Sequence, residues 1–198
     1  MASLLDKVQN AVRTGTVGAE VKRSARWFQD KIKGLEGTLK NQWSRTNAPK
    51  FYREAENKMD RRVLGMKGNF GELFAYYYNP KHMATLPYYD RFPLVMLLGV
   101  DPNKQTFLGL NFHYLPPKWR AMLLDRVSAK ITSGTVINWK KIANVPMINA
   151  TVKRYRFDHV MRRVIPIEEK DNELAIFLPL ERFKKASKSK VWADSRKK

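Results

Sequence analysis

The 198-residue chain contains no cysteine. A disulfide scaffold, a cysteine-ligated zinc site and a cysteine nucleophile are therefore excluded. Histidine is nearly as scarce. His82, His113 and His159 stand apart, without the HxH, HExxH or HxxxH spacing that sets two imidazoles on one metal ion. His113, between Phe112 and Tyr114, reads as a strand or core histidine. Long apolar runs are missing too. The longest, from Pro93 to Val100, has eight residues, against the ~20 that a membrane span needs. The opening MASLLDKVQNAVR carries Asp6 and no long apolar core, so it does not read as a secretory signal. No GxxxxGK phosphate loop occurs; Gly65, Gly68 and Gly71 lack a strand–loop–helix setting and read as turn and bulge glycines.

Acidic residues are the other shortage. Lys and Arg number 38 against 18 Asp and Glu, a formal net charge of +20. Such a charge strains a compact domain by self-repulsion unless a polyanion neutralises it, and the common polyanions are nucleic acid and anionic membrane surfaces. The excess is spread along the chain: +8 over residues 1–70, +5 over 71–150 and +7 over 151–198. It is densest from Arg182 to Lys198, where eight basic residues meet one acid, Asp194. Three readings compete: a solvated basic surface, a phosphate-backbone site, and a contact to an acidic protein partner. Apolar residues at 43% and aromatics at 12% suffice for a packed core and argue against wholesale disorder.

Periodicity organises the chain. Leu4, Leu5, Val8, Ala11 and Val12 recur at helical spacing until Gly15–Gly18 interrupts them. Val21, Ala25, Phe28, Ile32 and Leu35 mark a second amphipathic helix that Gly34 and Gly37 bring to an end, and residues 51–64 read as a third. These helices cannot bury much on one another, so they must lie on the following domain or on a partner. From residue 65 the character changes. Leu73–Tyr78 is an aromatic run, and segments 94–100 and 106–113, joined by Asp101-Pro102-Asn103-Lys104, read as a β-hairpin. Pro116-Pro117 starts a helix with Trp119, Met122, Leu123 and Val127 on its apolar face. The stretch from Gly134 to Pro146 around Trp139 gives little signal, and Val152–His159 suits helix or strand. Val164–Ile167 and Glu173–Pro179, on either side of an acidic turn at Glu168–Asn172, read as a last strand pair. The fold expected is α+β: a small antiparallel β-barrel or rolled sheet with N-terminal amphipathic helices and a basic C-terminal tail. The divisions are a helical extension at 1–65, a β-rich core at 66–182 and the tail at 183–198.

Two chemistries compete for these residues. A metal-dependent nuclease needs clustered carboxylates and often a lysine near the attacking water. Glu168-Glu169-Lys170, Asp158, Asp90 and Asp101 are the candidates, but Glu168–Asn172 lies between apolar runs where a turn needs polar residues anyway. Basic residues interleaved with aromatics are the stronger signal. Lys153-Arg154-Tyr155-Arg156-Phe157 sets three cations and two rings in five residues, and Arg162-Arg163 follow. As a strand, Arg154 and Arg156 share the face opposite Tyr155 and Phe157; as a helix, Arg156 and Arg163 share one. Cations can then meet phosphates while rings pack or stack. The plainer alternative keeps the rings in the core and the arginines in solvent. In the tail, Lys184, Lys185, Lys188, Lys190, Arg196, Lys197 and Lys198 suit salt-sensitive backbone binding that reads no sequence. Arg61-Arg62 and Lys67 make a weaker patch. Nothing calls for a cofactor or a metal.

Several strings together carry a resemblance. They are Asn79-Pro80-Lys81 with Thr85 to Val95 (TLPYYDRFPLV), Phe107 to Pro116 (FLGLNFHYLP), and Ala175 to Pro179 continuing through Phe183-Lys184 to Val191-Trp192-Ala193-Asp194-Ser195-Arg196. Over residues 70–198 the chain resembles the DNA end protector family of T4-type tailed phages, in particular its shorter versions in marine T4-like myoviruses. The resemblance implies a non-enzymatic virion protein that binds the end of packaged double-stranded DNA, shields it from host exonuclease and takes part in head completion. It also implies other virion proteins (portal, neck or tail) as partners, a possible homo-oligomer, no membrane, and a location in the virion and the host cytoplasm. The rival is a neck, tail or baseplate protein whose basic surface docks acidic neighbours.

Overall fold

The computed structural model describes residues 3–36, 71–101, 103–132, 146–161 and 164–197. Helix α1 (Leu4–Arg13) opens with a capping box: Ser3 Oγ accepts from the Asp6 amide, and the Asp6 carboxylate accepts from the Ser3 amide. Gly15, at φ +70°, makes the turn into α2 (Val17–Glu36), which continues through Gly34 rather than stopping there.

Five strands form one antiparallel sheet in the order β5-β4-β3-β1-β6: β1 (Leu73–Ala75), β3 (Leu94–Asp101), β4 (Thr106–Asn111), β5 (Val152–Arg156) and β6 (Ile165–Ile167). The sheet does not close, so of the two expected forms the rolled sheet stands and the barrel does not. Pro166, which cannot donate a ladder hydrogen bond, sits in the edge strand β6. The other edge, β5, carries Lys153, Arg154 and Arg156, charges that also discourage edge-to-edge pairing. The expected hairpin is β3–β4; it holds a register shift between Leu97 and Gly99. At Gly109, facing that irregularity, a Cβ would overlap the Val95 side chain and lie 3.2 Å from the Met96 carbonyl.

Alternation gives the sheet two apolar faces. Leu73, Ala75, Leu94, Met96, Leu110, Ile165 and Ile167 join a core with the helices. Phe74, Tyr76, Val95, Leu97, Phe107 and Tyr155 form a second, aromatic cluster. Helix α3 (Pro117–Thr132) lies against α1, and Asp125 ties the two by accepting from the Leu4 and Leu5 amides at 2.9 and 2.8 Å. Those amides have no partner within their own helix, and a carboxylate there also suits the helix dipole. Helix α4 is the single turn Pro146–Asn149. Helix α2 packs on α5 (Asn172–Phe177), with Lys31 on Asp171 at 2.9 Å and Arg23 on Glu173 at 3.2 Å. Val8, Ala11 and Phe28 thereby enter the main core. The two described N-terminal helices, α1 and α2, find their cover on the chain's own core.

Two readings of the last segments need correction. Residues 173–179 are not a strand, and Glu168–Asn172 is not a hairpin turn. A 3₁₀ turn (Glu169–Asp171) winds directly into α5. A short apolar run cannot reveal its period, and Glu, Leu and Ala favour a helix once one is nucleated. Val152–His159, left open between helix and strand, is β5 followed by a 3₁₀ turn at Phe157–His159. A small second sheet pairs β2 (Tyr89–Asp90) with β7 (Phe183–Lys184). The basic C-terminal segment is the helix α6 (Lys188–Lys197), held by fully buried Val191. The expected helix at 51–64, Trp139, Gly65 and Gly68, and the patch Arg61, Arg62 and Lys67 lie outside the described residues.

Candidate nucleic-acid interface

The distinctive strings of the sequence converge in a buried polar knot. Asp90 from β2 is 4% exposed. Its Oδ1 accepts from the Phe92 amide at 3.0 Å and the Arg182 amide at 3.3 Å. Its Oδ2 takes His113 Nδ1 at 2.7 Å and Asn111 Nδ2 at 3.4 Å. His113 sits in the 3₁₀ turn Phe112–Tyr114 rather than in a strand, and it is wholly buried, as a core histidine. Its main-chain carbonyl accepts from Trp192 Nε1 of α6 at 2.8 Å, while its Nε2 has no hydrogen-bond partner among the described residues. Beside it, Arg120 of α3 is 1% exposed. Arg120 donates from Nε to the Leu115 carbonyl at 2.7 Å, pairs with Glu181, and lies over the Trp192 ring. Burial by itself would raise the Glu181 carboxyl, but the Arg120 guanidinium and nearby His113 outweigh it and hold that carboxyl below its usual range. YYDRFP, FHYLP, the LERF segment and VWADSR thus meet in one place.

Next to the knot a groove of about 700 Å³ opens between the β4–β5 edge and the loop at 80–88. Among the described residues five cationic side chains line it (Lys81, Lys104, Lys153, Arg154 and Arg156) and one carboxylate, that of buried Asp90. Tyr88, Tyr89, Tyr114 and Tyr155 supply its aromatic wall. Tyr88 and Tyr114 lie side by side, 6.0 Å between ring centroids, and Lys153 Nζ stands 4.3 Å from the Tyr114 ring. Burial pushes the hydroxyls of Tyr88, Tyr114 and Tyr155 above their ordinary range, with further upward pressure from Asp194 on Tyr88 and from Asp90 on Tyr114. The rings therefore stay neutral at physiological pH and add no charge to repel an anion.

The strand alternative decides the arrangement at 153–157. Tyr155 points into the aromatic cluster, stacked on Phe107 at 5.1 Å, while Arg154 is exposed. Arg154 donates to Thr106 Oγ1 at 3.2 Å and has Asp101 at 3.8 Å. Arg156 holds Asp158 with two hydrogen bonds, 2.9 and 2.6 Å. The tail cations scatter. Lys184 is exposed on β7, and Lys197 on α6. Lys188 lies over Trp192, Lys190 pairs with Asp194 at 3.3 Å, and Arg196 donates to the Trp192 carbonyl at 3.3 Å. Lys185, at φ +68°, donates to the carbonyls of Met83, Ala84 and Leu86, fastening the groove's loop. Arg162, Arg163 and Lys198 lie outside the described residues. Lys81, His82 and Lys104 reach the groove although sequence pattern does not single them out. The one signal for Lys104 is its place in the hairpin turn beside the strand that pairs with β5.

The carboxylates that could have suited a metal are engaged elsewhere. Glu168 pairs with Lys170 and lies 3.9 Å from Lys31; Asp158 pairs with Arg156, Asp101 with Lys104, and Asp90 sits in the knot. Among the described residues no cluster of three His, Asp or Glu suits a metal ion, and no helix is long and apolar enough to cross a membrane.

No curated protein and no solved structure matches the chain. A family model does: the phage T4 terminal DNA protecting protein, over residues 37–196, a span that contains the sheet, the knot and the groove. The chain belongs to the phage T4 terminal DNA protecting protein family.

Proposed function

We propose that this phage protein binds the end of double-stranded DNA and shields it sterically from exonuclease, without catalysis. The observation that carries the reading is the groove, where the described residues set five cations around tyrosine rings with one buried carboxylate, in a chain whose family is described as protecting terminal DNA. Exposed cations such as Lys81, Lys104 and Arg154 meet phosphates, and α6 extends the basic surface with Lys188, Lys190, Arg196 and Lys197. Affinity then comes mainly from counterion release and falls steeply with salt. The protein acts in the virion at head completion, next to portal, neck or tail proteins, and in the host cytoplasm once the DNA has entered.

Docking onto acidic neck, tail or baseplate proteins is the competing role. Its support in the sequence is the thinly packed helices of residues 1–65, which need cover; of these, α1 and α2 bury Val8, Ala11 and Phe28 on this chain's own core. The test mixes purified protein with linear duplex, a processive exonuclease and an excess of closed circular competitor. Survival of linear DNA at stoichiometric protein, unchanged by the circle, is the expected result. Protection that the circle abolishes, or none at all, would transfer the role to docking.

A further inference from the structure

Backbone neutralisation alone gives no preference for an end, since every stretch of duplex offers the same phosphates. The groove offers one. Its volume, about 700 Å³, is that of a site for a single small molecule, ~300–1,000 Å³. A duplex does not fit such a hollow; one or two nucleotides do. Its walls have the two components that hold an unpaired nucleotide. Tyr88, half-buried beside Tyr114, presents a ring on which a base can stack, and exposed Lys81, Lys104 and Arg154 stand where its phosphate would lie. Among the described residues Lys81 has no carboxylate partner, and the one carboxylate that Lys104 and Arg154 reach is Asp101, at 3.6 and 3.8 Å. The loop carrying Tyr88 is fixed on both sides, by Lys185 on the carbonyls at 83–86 and by Asp90 in the knot. The hollow is therefore formed in advance.

We infer that this groove holds the terminal nucleotide of a DNA strand, its base stacked against Tyr88 and its phosphate on Lys81, Lys104 and Arg154. The inference rests on the DNA-end reading above and gives it a physical source of end preference. Taking a nucleotide out of the stack costs unpairing and unstacking, and that cost is least where the base is already unpaired or has a neighbour on one side only. A strand end satisfies this; a closed circle has no such position.

The experiment uses the full chain and short duplexes with the fluorescent base 2-aminopurine either at the last position of one strand or in the interior. Exonuclease protection is measured in parallel. Binding is expected to change the terminal probe's emission at least twofold and leave the interior probe unchanged. An end with one unpaired nucleotide should bind more tightly than a blunt one. Tyr88→Ala should remove the terminal signal and weaken end binding about tenfold, in the range of one base–aromatic stack. Lys81→Glu, on an exposed side chain, gives an independent variant and should weaken end binding with an unchanged melting temperature. Protection by the wild type with no terminal signal, and with Tyr88→Ala and Lys81→Glu protecting equally well, overturns the nucleotide site while the end-protecting role stands. A terminal signal lost in Tyr88→Ala, without protection, supports the site and removes the protecting role. Neither signal nor protection overturns both.

Discussion

The knot and the groove are neighbours built from the same strings, yet they treat charge in opposite ways. In the knot, the side chains of Asp90, His113, Arg120 and Glu181 are nearly excluded from water, with Asp90 bonded to His113 and Arg120 paired with Glu181. In the groove, Lys81, Lys104 and Arg154 face solvent with little carboxylate opposite them. Asn111 and Asp90 belong to both, so the knot is the support on which the groove is held. Paired buried charges fix where elements meet, because leaving one unpaired is costly. Exposed cations with weak, solvent-screened partners or none cost little in water and are available to an incoming phosphate.

The difference can be broken by substitution. Glu181→Ala leaves the Arg120 guanidinium buried without its partner and should destabilise the fold by ~3–5 kcal/mol, seen as a large drop in thermal midpoint. Gly109→Ala forces a methyl group into Val95 and should cost ~1–3 kcal/mol by overpacking, with a lowered denaturation midpoint and an unchanged denaturant slope.

The Glu181 carboxyl also predicts a pH dependence. Its folded pKa lies below the unfolded value, so the Arg120 pair contributes fully above the unfolded pKa, about 4.3. That contribution is lost as pH falls through the folded pKa. Denaturant midpoints should fall on acidification below about pH 4.3, and the acid limb should be shallower in Glu181→Gln.

Groove substitutions should give the smallest structural effect. Lys104→Ala and Arg154→Ala should leave the folding stability within ~0.5 kcal/mol of wild type. Each should reduce the slope of log affinity against log salt by about one for every phosphate that the side chain no longer neutralises. A melting change as large as that of Glu181→Ala would remove the distinction between the two regions.

Much of the architecture is legible in the sequence. Helical spacing marks α1 and α2, the Asp-Pro-Asn-Lys turn marks the β3–β4 hairpin, and Pro117 marks the start of α3. Where the segment is short the period misleads. Six residues, Asn172–Phe177, are too few to separate helix from strand, and their apolar content alone suggests a strand. Within the site, Lys153, Arg154 and Arg156 stand out because charge and rings alternate along one strand. Lys81 and His82 do not, because they reach the groove from a loop more than 70 residues away in sequence.

The sequence by itself determined the excess of cations, the absence of cysteine chemistry and the amphipathic periods that make the helices. These are local or summed properties, and no contact is needed to know them. Only the tertiary structure decided which charges build and which are presented. Arg120 and Lys104 are both basic residues on a basic chain, but one lies between α3, Glu181 and Trp192, and the other lies at the mouth of a groove. Burial is set by what packs across the chain, and the free energy of a charge depends on that burial more than on its identity.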